Sequence, residues 1–334
     1  MPIPFILGGL AAAAGAYGVK KGLDAKSDMN KAQSINKNAQ EIFDETKKKI
    51  DYARESTNTV IENLGKNKIK ICSTTMKNFV DNFSQIKNID FQNSVGMEEL
   101  RGFNPNSPEF IDMKNTSFKA KELATGAGGG LAAGGLAAIG AGSLATTIGV
   151  ASTGTAIGTL SGAAATNATL AWLGGGALSA GGFGMAGGMA VLGGIVAGPA
   201  LAIGGAFMAS KAEKALNDAR SNMDMARKFE QEGKNICTTL DGIKARANQI
   251  DNCLDDLNIR FYSAVDRMKD VLDFVGYDFR NYNEKARNIV MKSVNLAQTV
   301  KIVLDTSLLK EDGTLNEYET RKALEKGQAL LSSL

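Results

Sequence analysis

Histidine is absent from all 334 residues of this chain. Without it neither a Ser-His-Asp nor a Cys-His arrangement can form, although Lys, Asp and Glu could still do chemistry. Cysteine is scarce: Cys72, Cys237 and Cys253 are odd in number, widely spaced and lack a CxxC pair. That pattern argues against a disulfide framework and leaves a zinc site without ligands. All three fall in the apolar phase of expected helices, where free cysteine acts as a small hydrophobe in a reducing compartment. Charge of one sign is also lacking. A net charge of +3, with Lys and Arg interleaved among Asp and Glu, provides no basic stripe for nucleic acid. The glycine-rich run GAGGG at 126–130 lacks the Lys-Ser/Thr ending of a phosphate-binding loop. No catalytic residue, cofactor or metal is expected, and the chain reads as a non-enzyme.

The largest absence lies in the middle. Residues 123–210, 88 positions, contain no Asp, Glu, Lys or Arg and consist mainly of Gly, Ala, Leu, Ile, Ser and Thr. Every charged side chain is confined to the flanks, so one chain holds an apolar part and two water-compatible parts. At the amino terminus a second apolar run, Ile3 to Val19, is followed by Lys20 and Lys21. A secretory signal would carry its positive charge before the apolar run, so none is expected here and a cytoplasmic, membrane-associating protein is. Seventeen residues of helix reach about 26 Å, short of the roughly 30 Å hydrocarbon core. Residues 1–22 are read as a short helix that touches a membrane or is buried in a bundle.

What is present is helical periodicity. Ile35, Ala39, Ile42, Thr46, Ile50, Ala53, Thr57, Val60 and Leu64 recur in steps of three and four, the seam of a coiled-coil-type helix. Gly65 interrupts the phase, and Ile69, Cys72, Met76, Phe79, Phe83 and Ile86 resume it, which predicts a stutter or bend near Gly65. Residues 90–118 lose the pattern. Pro105 and Pro108 lie there, and the stretch is read as a linker. From Leu216 through Ala219, Phe229, Gly233, Leu240, Ile250 and Phe261 to Val271 the steps never break, predicting a helix on the order of 100 Å long. Such an element cannot bury its stripe alone, so the N-terminal coil of residues 24–89 or another subunit must lie beside it. Gly276 with Tyr277, Phe279 and Tyr282 marks a turn. A third helix carries Ala286, Ile289, Val290, Ser293, Ala297, Val300 and Leu304, and a last one spans about Asn316 to Leu331. The tract KEDGTLNEYE is a turn and not a calcium loop, because Leu308 and Lys310 would occupy ligand positions.

Inside the charge-free block small residues repeat at four-residue spacing: Gly130 with Gly134; Gly154, Gly158 and Gly162; Gly184 with Gly188; Gly194 with Gly198. On a helix each row forms a flat groove for a neighbouring backbone. Met189–Met208, the most apolar window and the one that contains Leu192, is long and apolar enough to span a bilayer, and Trp172, the sole tryptophan, suits an interface. Lys114, Lys119 and Lys121 precede the block and Lys211, Lys214 and Arg220 follow it, so the positive-inside rule places both ends on one side and predicts a helical hairpin.

The expectation is an all-α chain: an elongated helical bundle or coiled coil with a central Gly/Ala-rich hairpin. Its parts are an N-terminal helix (1–22), an amphipathic coil with linker (23–122), the glycine-zipper hairpin (123–210) and C-terminal helices (211–334). This layout, with the stretch GTAIGTLSGAAATNATLAWLGGGALSAGGFGMAGG, resembles α-helical pore-forming toxins of the haemolysin E and Bacillus tripartite types, and the apolipoprotein L proteins. The resemblance implies a lipid bilayer as partner, a homo-oligomer and permeabilisation. The alternative is a coiled-coil scaffold that keeps the block inside its own bundle and binds a helical protein partner.

Overall fold

The computed structural model describes residues 19–89, 103–125, 212–310 and 313–333, with side chains from Asn30 in the first stretch and Leu216 in the third. These residues are all-α and include a helical bundle. α1 is Val19–Ile71, followed by a π-helical turn Cys72–Met76 and α2, Lys77–Phe83. α3 is Pro108–Ala124, α4 Ala212–Val275, α5 Glu284–Asp305 and α6 Glu317–Ser333. Among the described residues only isolated β-bridges occur, and no helix is long and apolar enough to cross a membrane. The eleven site residues expected from sequence, Gly130, Gly134, Gly154, Gly158, Gly162, Trp172, Gly184, Gly188, Leu192, Gly194 and Gly198, lie outside the described residues. So do residues 1–18 and the span from 126 through Lys211.

The chain divides into two compact units. The first takes Met1–Ile50 with Ala197–Ile236. Its core is built from small side chains: Ala32, Ala39 and Thr46 of α1 and Ala219, Ala226 and Gly233 of α4 are buried. Phe43 stacks on Phe229 with ring centroids 4.6 Å apart, and Asn222 donates to Asn36 at 3.0 Å. A β-carbon on Gly233 would stand 2.4 Å from the Thr46 methyl, so only glycine permits this approach of the two helices.

The second unit takes Asp51–Val196 with Cys237–Leu334. The expected seams form its core: Ala53, Thr57 and Leu64 of α1 are buried, as are Leu240, Ile243, Ala247, Ile250, Leu254, Leu257 and Phe261 of α4. The Thr57 hydroxyl donates to the Leu240 carbonyl at 3.3 Å, and the Asn67 amide donates to Asp251 at 2.7 Å and Asp255 at 2.9 Å. Contact positions advance together on both helices, so α1 and α4 run parallel here. Ala286, Val290, Ser293, Ala297, Val300 and Leu304 of α5 are buried as the spacing predicts, and Ile289 is half-buried. α6 comes within reach of α4 at Gly327, where an added β-carbon would be 2.6 Å from Cys253 Sγ and 3.3 Å from Leu257. Gly327→Ala is therefore expected to lower the thermal midpoint, although alanine favours a helix by about 1 kcal/mol over glycine. A rise in midpoint would show that the Cys253 side chain yields freely.

Two sequence expectations change. α1 passes through Gly65 without interruption, and the irregularity sits at Cys72–Met76, directly after Ile71. The hydroxyls of Ser73 and Thr74 donate to the Lys70 carbonyl at 3.2 and 2.6 Å, which supports a wider turn at the point where the α ladder is interrupted. Residues 108–118 are helix, not linker. Ser107 caps α3 by accepting from the Phe110 amide at 3.4 Å, and Pro108 occupies the first turn, where a missing N–H costs nothing. α3 runs back along α2: Phe110 meets Phe83 at 5.4 Å and Phe79 at 6.4 Å, while Lys77 lies over the Phe118 ring at 4.3 Å.

The turns fall where they were expected. Gly276 has φ +98° and Gly313 φ +78°, conformations that favour glycine. Lys310 donates to Thr314 at 2.9 Å in the second turn, and Leu308, a calcium-ligand position in the rejected alternative, is buried. The first turn is tied to the end of α2 by backbone bonds: Lys87 donates to Tyr277 at 2.7 Å and Phe279 to Lys87 at 3.0 Å.

Candidate functional site

A buried and half-buried set of titratable groups links α1, α3 and α5. The four-residue row Leu64, Lys68, Cys72, Met76 places a lysine on the buried face of α1, and Lys68 is 0 % exposed. Its ammonium nitrogen reaches the Thr306 carbonyl, just past the end of α5, at 3.3 Å. Burial pushes the Lys68 amine down to about 7, against an opposing pull from Asp305. One turn further on, burial pushes the Cys72 thiol up to about 12, with Asp305 acting in the same direction. Cys72 is thus a protonated, unreactive thiol at neutral pH.

Lys301 of α5 joins the cluster to α3 by bridging Asp305 on its own helix and Asp112 on α3. Burial lowers the Lys301 pKa, but Asp305 and the hydrogen bond from Lys301 to Asp112 outweigh it, and the net shift is upward. Its side chain is 14 % exposed, so this bridge is shielded from solvent more than an ordinary surface pair. Gln298 adds a second link to α3, donating to Glu109 at 3.1 Å. Over these groups lies an open cleft of about 630 Å³, bordered by Glu109, Asp112, Lys301, Asp305 and Glu319.

Chemically, a lysine that is half neutral near pH 7 resembles an activated amine. No route leads to it, however: Lys68 is fully enclosed and does not border the cleft. The arrangement acts mechanically, clamping α3 to α5 immediately before the chain enters the charge-free block. Among the described residues no group of three or more Cys, Asp or Glu could hold a metal ion. Cys72, Cys237 and Cys253 are free thiols, the first and last buried. Sequence reading missed Lys68, Lys301, Asp305 and Asp112 as a set. The only signal in the sequence is the lysine on an apolar row; the rest depends on α3, whose prolines suggest a linker. The chain matches no protein-family model, no curated protein and no solved structure.

Proposed function

We propose that this chain is a non-enzymatic, cytoplasmic protein that acts on lipid bilayers. It inserts residues 123–210 as a glycine-zipper hairpin and oligomerises through the rows at Gly154, Gly158 and Gly162 to permeabilise the membrane. The observation that carries this reading is the uncharged block of 88 residues between basic flanks. Moving a charge into hydrocarbon costs about 2.5–3.5 kcal/mol per residue on insertion scales, and the block avoids that cost throughout. Glycine, poor in a water-exposed helix, is tolerated in lipid because an unpaired backbone group there costs several kcal/mol. On this reading the long seams of α1 and α4 form a coiled coil that carries the hairpin.

A second reading has its own support. Gly233 and Gly327 are used for close helix packing within the described units. The glycine rows of the block could serve the same purpose inside a scaffold that binds a helical partner. Dye-loaded vesicles separate the two readings. Wild-type protein is expected to float with vesicles and release dye, whereas Leu192→Lys loses release yet keeps its circular dichroism and melting profile. If the wild type neither floats nor leaks, and Leu192→Lys unfolds without lipid, the block is a buried core and the scaffold stands.

A further inference from the structure

We propose that the groove between α4 and α5 is a head-group site for anionic phospholipids, an inference that rests on the bilayer reading above and names its lipid class. The groove is lined by Arg260, Ser263 and Arg267 of α4 and Lys292 of α5, over a floor of Ala264, Ile289 and Leu296, with a volume of about 240 Å³. Arg260 and Arg267 are seven residues apart, two helical turns, and therefore share one face of α4. Lys292 enters from the facing helix. The buried Ser293 hydroxyl shares its proton between the Ala264 carbonyl of α4 at 3.0 Å and the Ile289 carbonyl of its own helix at 2.9 Å, and the first of these contacts ties the two helices at this level.

The three cations are not engaged in any ion pair among the described residues, and no carboxylate lines the groove. Elsewhere on α4, Asp273 pairs with Lys269 at 2.6 Å and Asp251 and Asp255 accept from Asn67, while Asp256, Asp266 and Asp270 lie outside the groove lining. Converging guanidinium and ammonium groups match phosphate oxygens, with Arg able to bind in a bidentate manner. Ile259 and Tyr262, on the same stretch of α4, are 66 % and 61 % exposed. Ile259 flanks the cation-bearing face and Tyr262 lies on the other side of α4, so the preference for a head group rests on the three converging cations. The volume is below the roughly 300–1,000 Å³ of pockets that enclose a ligand. The groove thus takes a head group at the surface and leaves its acyl chains in the bilayer.

The test is vesicle flotation of the full chain with phosphatidylcholine alone and with phosphatidylcholine containing phosphatidylglycerol. Wild-type protein is expected to partition more strongly onto the anionic vesicles, with an advantage that fades as salt rises. Each cation near an anionic surface is worth about fivefold in partitioning, so R260Q/R267Q/K292Q is expected to fall by about 100-fold. The control K47Q/K48Q/K322Q removes the same three charges from exposed positions and is expected to keep the preference. Melting profiles confirm that both variants fold. Equal partitioning of wild type onto both vesicle types would overturn the head-group site while leaving the bilayer reading intact. Loss of partitioning equal in both triple variants would reduce the effect to net charge and also overturn it. If wild type floats with neither vesicle, both readings fall. If glycerol 3-phosphate stabilises the wild type as strongly as the anionic vesicles do, the groove is a soluble-phosphate site and the lipid assignment fails.

Discussion

Phe79→Ala is expected to lower the free energy of unfolding by about 3–5 kcal/mol, the range for truncating a fully buried aromatic. Phe79 is 0 % exposed and contacts rings from three helices: Phe83 at 5.3 Å, Phe261 at 5.7 Å and Phe110 at 6.4 Å. Phe103 extends the cluster, 5.4 Å from Phe83 and 6.0 Å from Phe110. Removing the central ring leaves a space that α2, α3 and α4 cannot all close at once, so the loss includes the cavity as well as the transfer of the ring. Denaturant titration followed by far-ultraviolet circular dichroism reads the effect as an earlier midpoint. A shift of less than 1 kcal/mol would mean that the cluster does not join these helices into one cooperative core.

Lys68→Met is expected to act in the opposite direction, raising stability at pH 7 by about 1–4 kcal/mol, the range for replacing buried ionic groups with apolar ones of similar volume. The substitution leaves Asp305 with Lys301 as its partner. The pH dependence identifies the cause. The folded amine titrates near 7 and the ordinary value is 10.5. Below about 7 both folded and unfolded chains carry the proton, and the full destabilisation applies. Between about 7 and 10.5 the unfolded chain holds a proton that the folded one lacks, so stability rises with pH; above that window the penalty is gone. Wild-type protein is expected to gain stability from pH 7 to 10, and Lys68→Met is expected to lack the Lys68 part of that gain. A variant less stable than wild type at pH 7 would show that the bond to Thr306 outweighs the burial of the amine.

The long helices were legible because their seams follow the 3–4 rule over many turns; Thr46 and Thr57 could be assigned to the core by position alone, despite their hydroxyls. α3 was not legible in the same way. Pro105 and Pro108 read as helix breakers, whereas Ser107-Pro108-Glu109 is also the signature of a helix start: a capping hydroxyl, proline in the first turn and an acid at the positive end of the helix. Its buried residues Phe110, Met113, Ser117, Ala120 and Leu123 keep helical spacing, but the small Ser and Ala blur the stripe. The π turn left no periodic trace, since Cys72, Ser73, Thr75 and Met76 are all buried and a wider turn places consecutive residues inward. Lys68 was visible as a polar residue on an apolar row. The clamp built around it was not, because Asp112, Lys301 and Asp305 come together only through tertiary packing. The groove of Arg260, Arg267 and Lys292 was half legible: the seven-residue spacing is on one helix, and the third cation arrives from another.

The parallel pairing of α1 with α4 joins residues far apart in the chain, with Thr57 and Leu240 separated by 183 positions and Asn67 and Asp255 by 188. A ribosome adding roughly 5–20 residues per second needs about 10–40 s to supply the second partner after the first. During that interval the seam of α1 is without its partner helix, and the entire charge-free block is synthesised before any of α4. Each nascent chain therefore presents its most apolar segment ahead of the helix that completes the core.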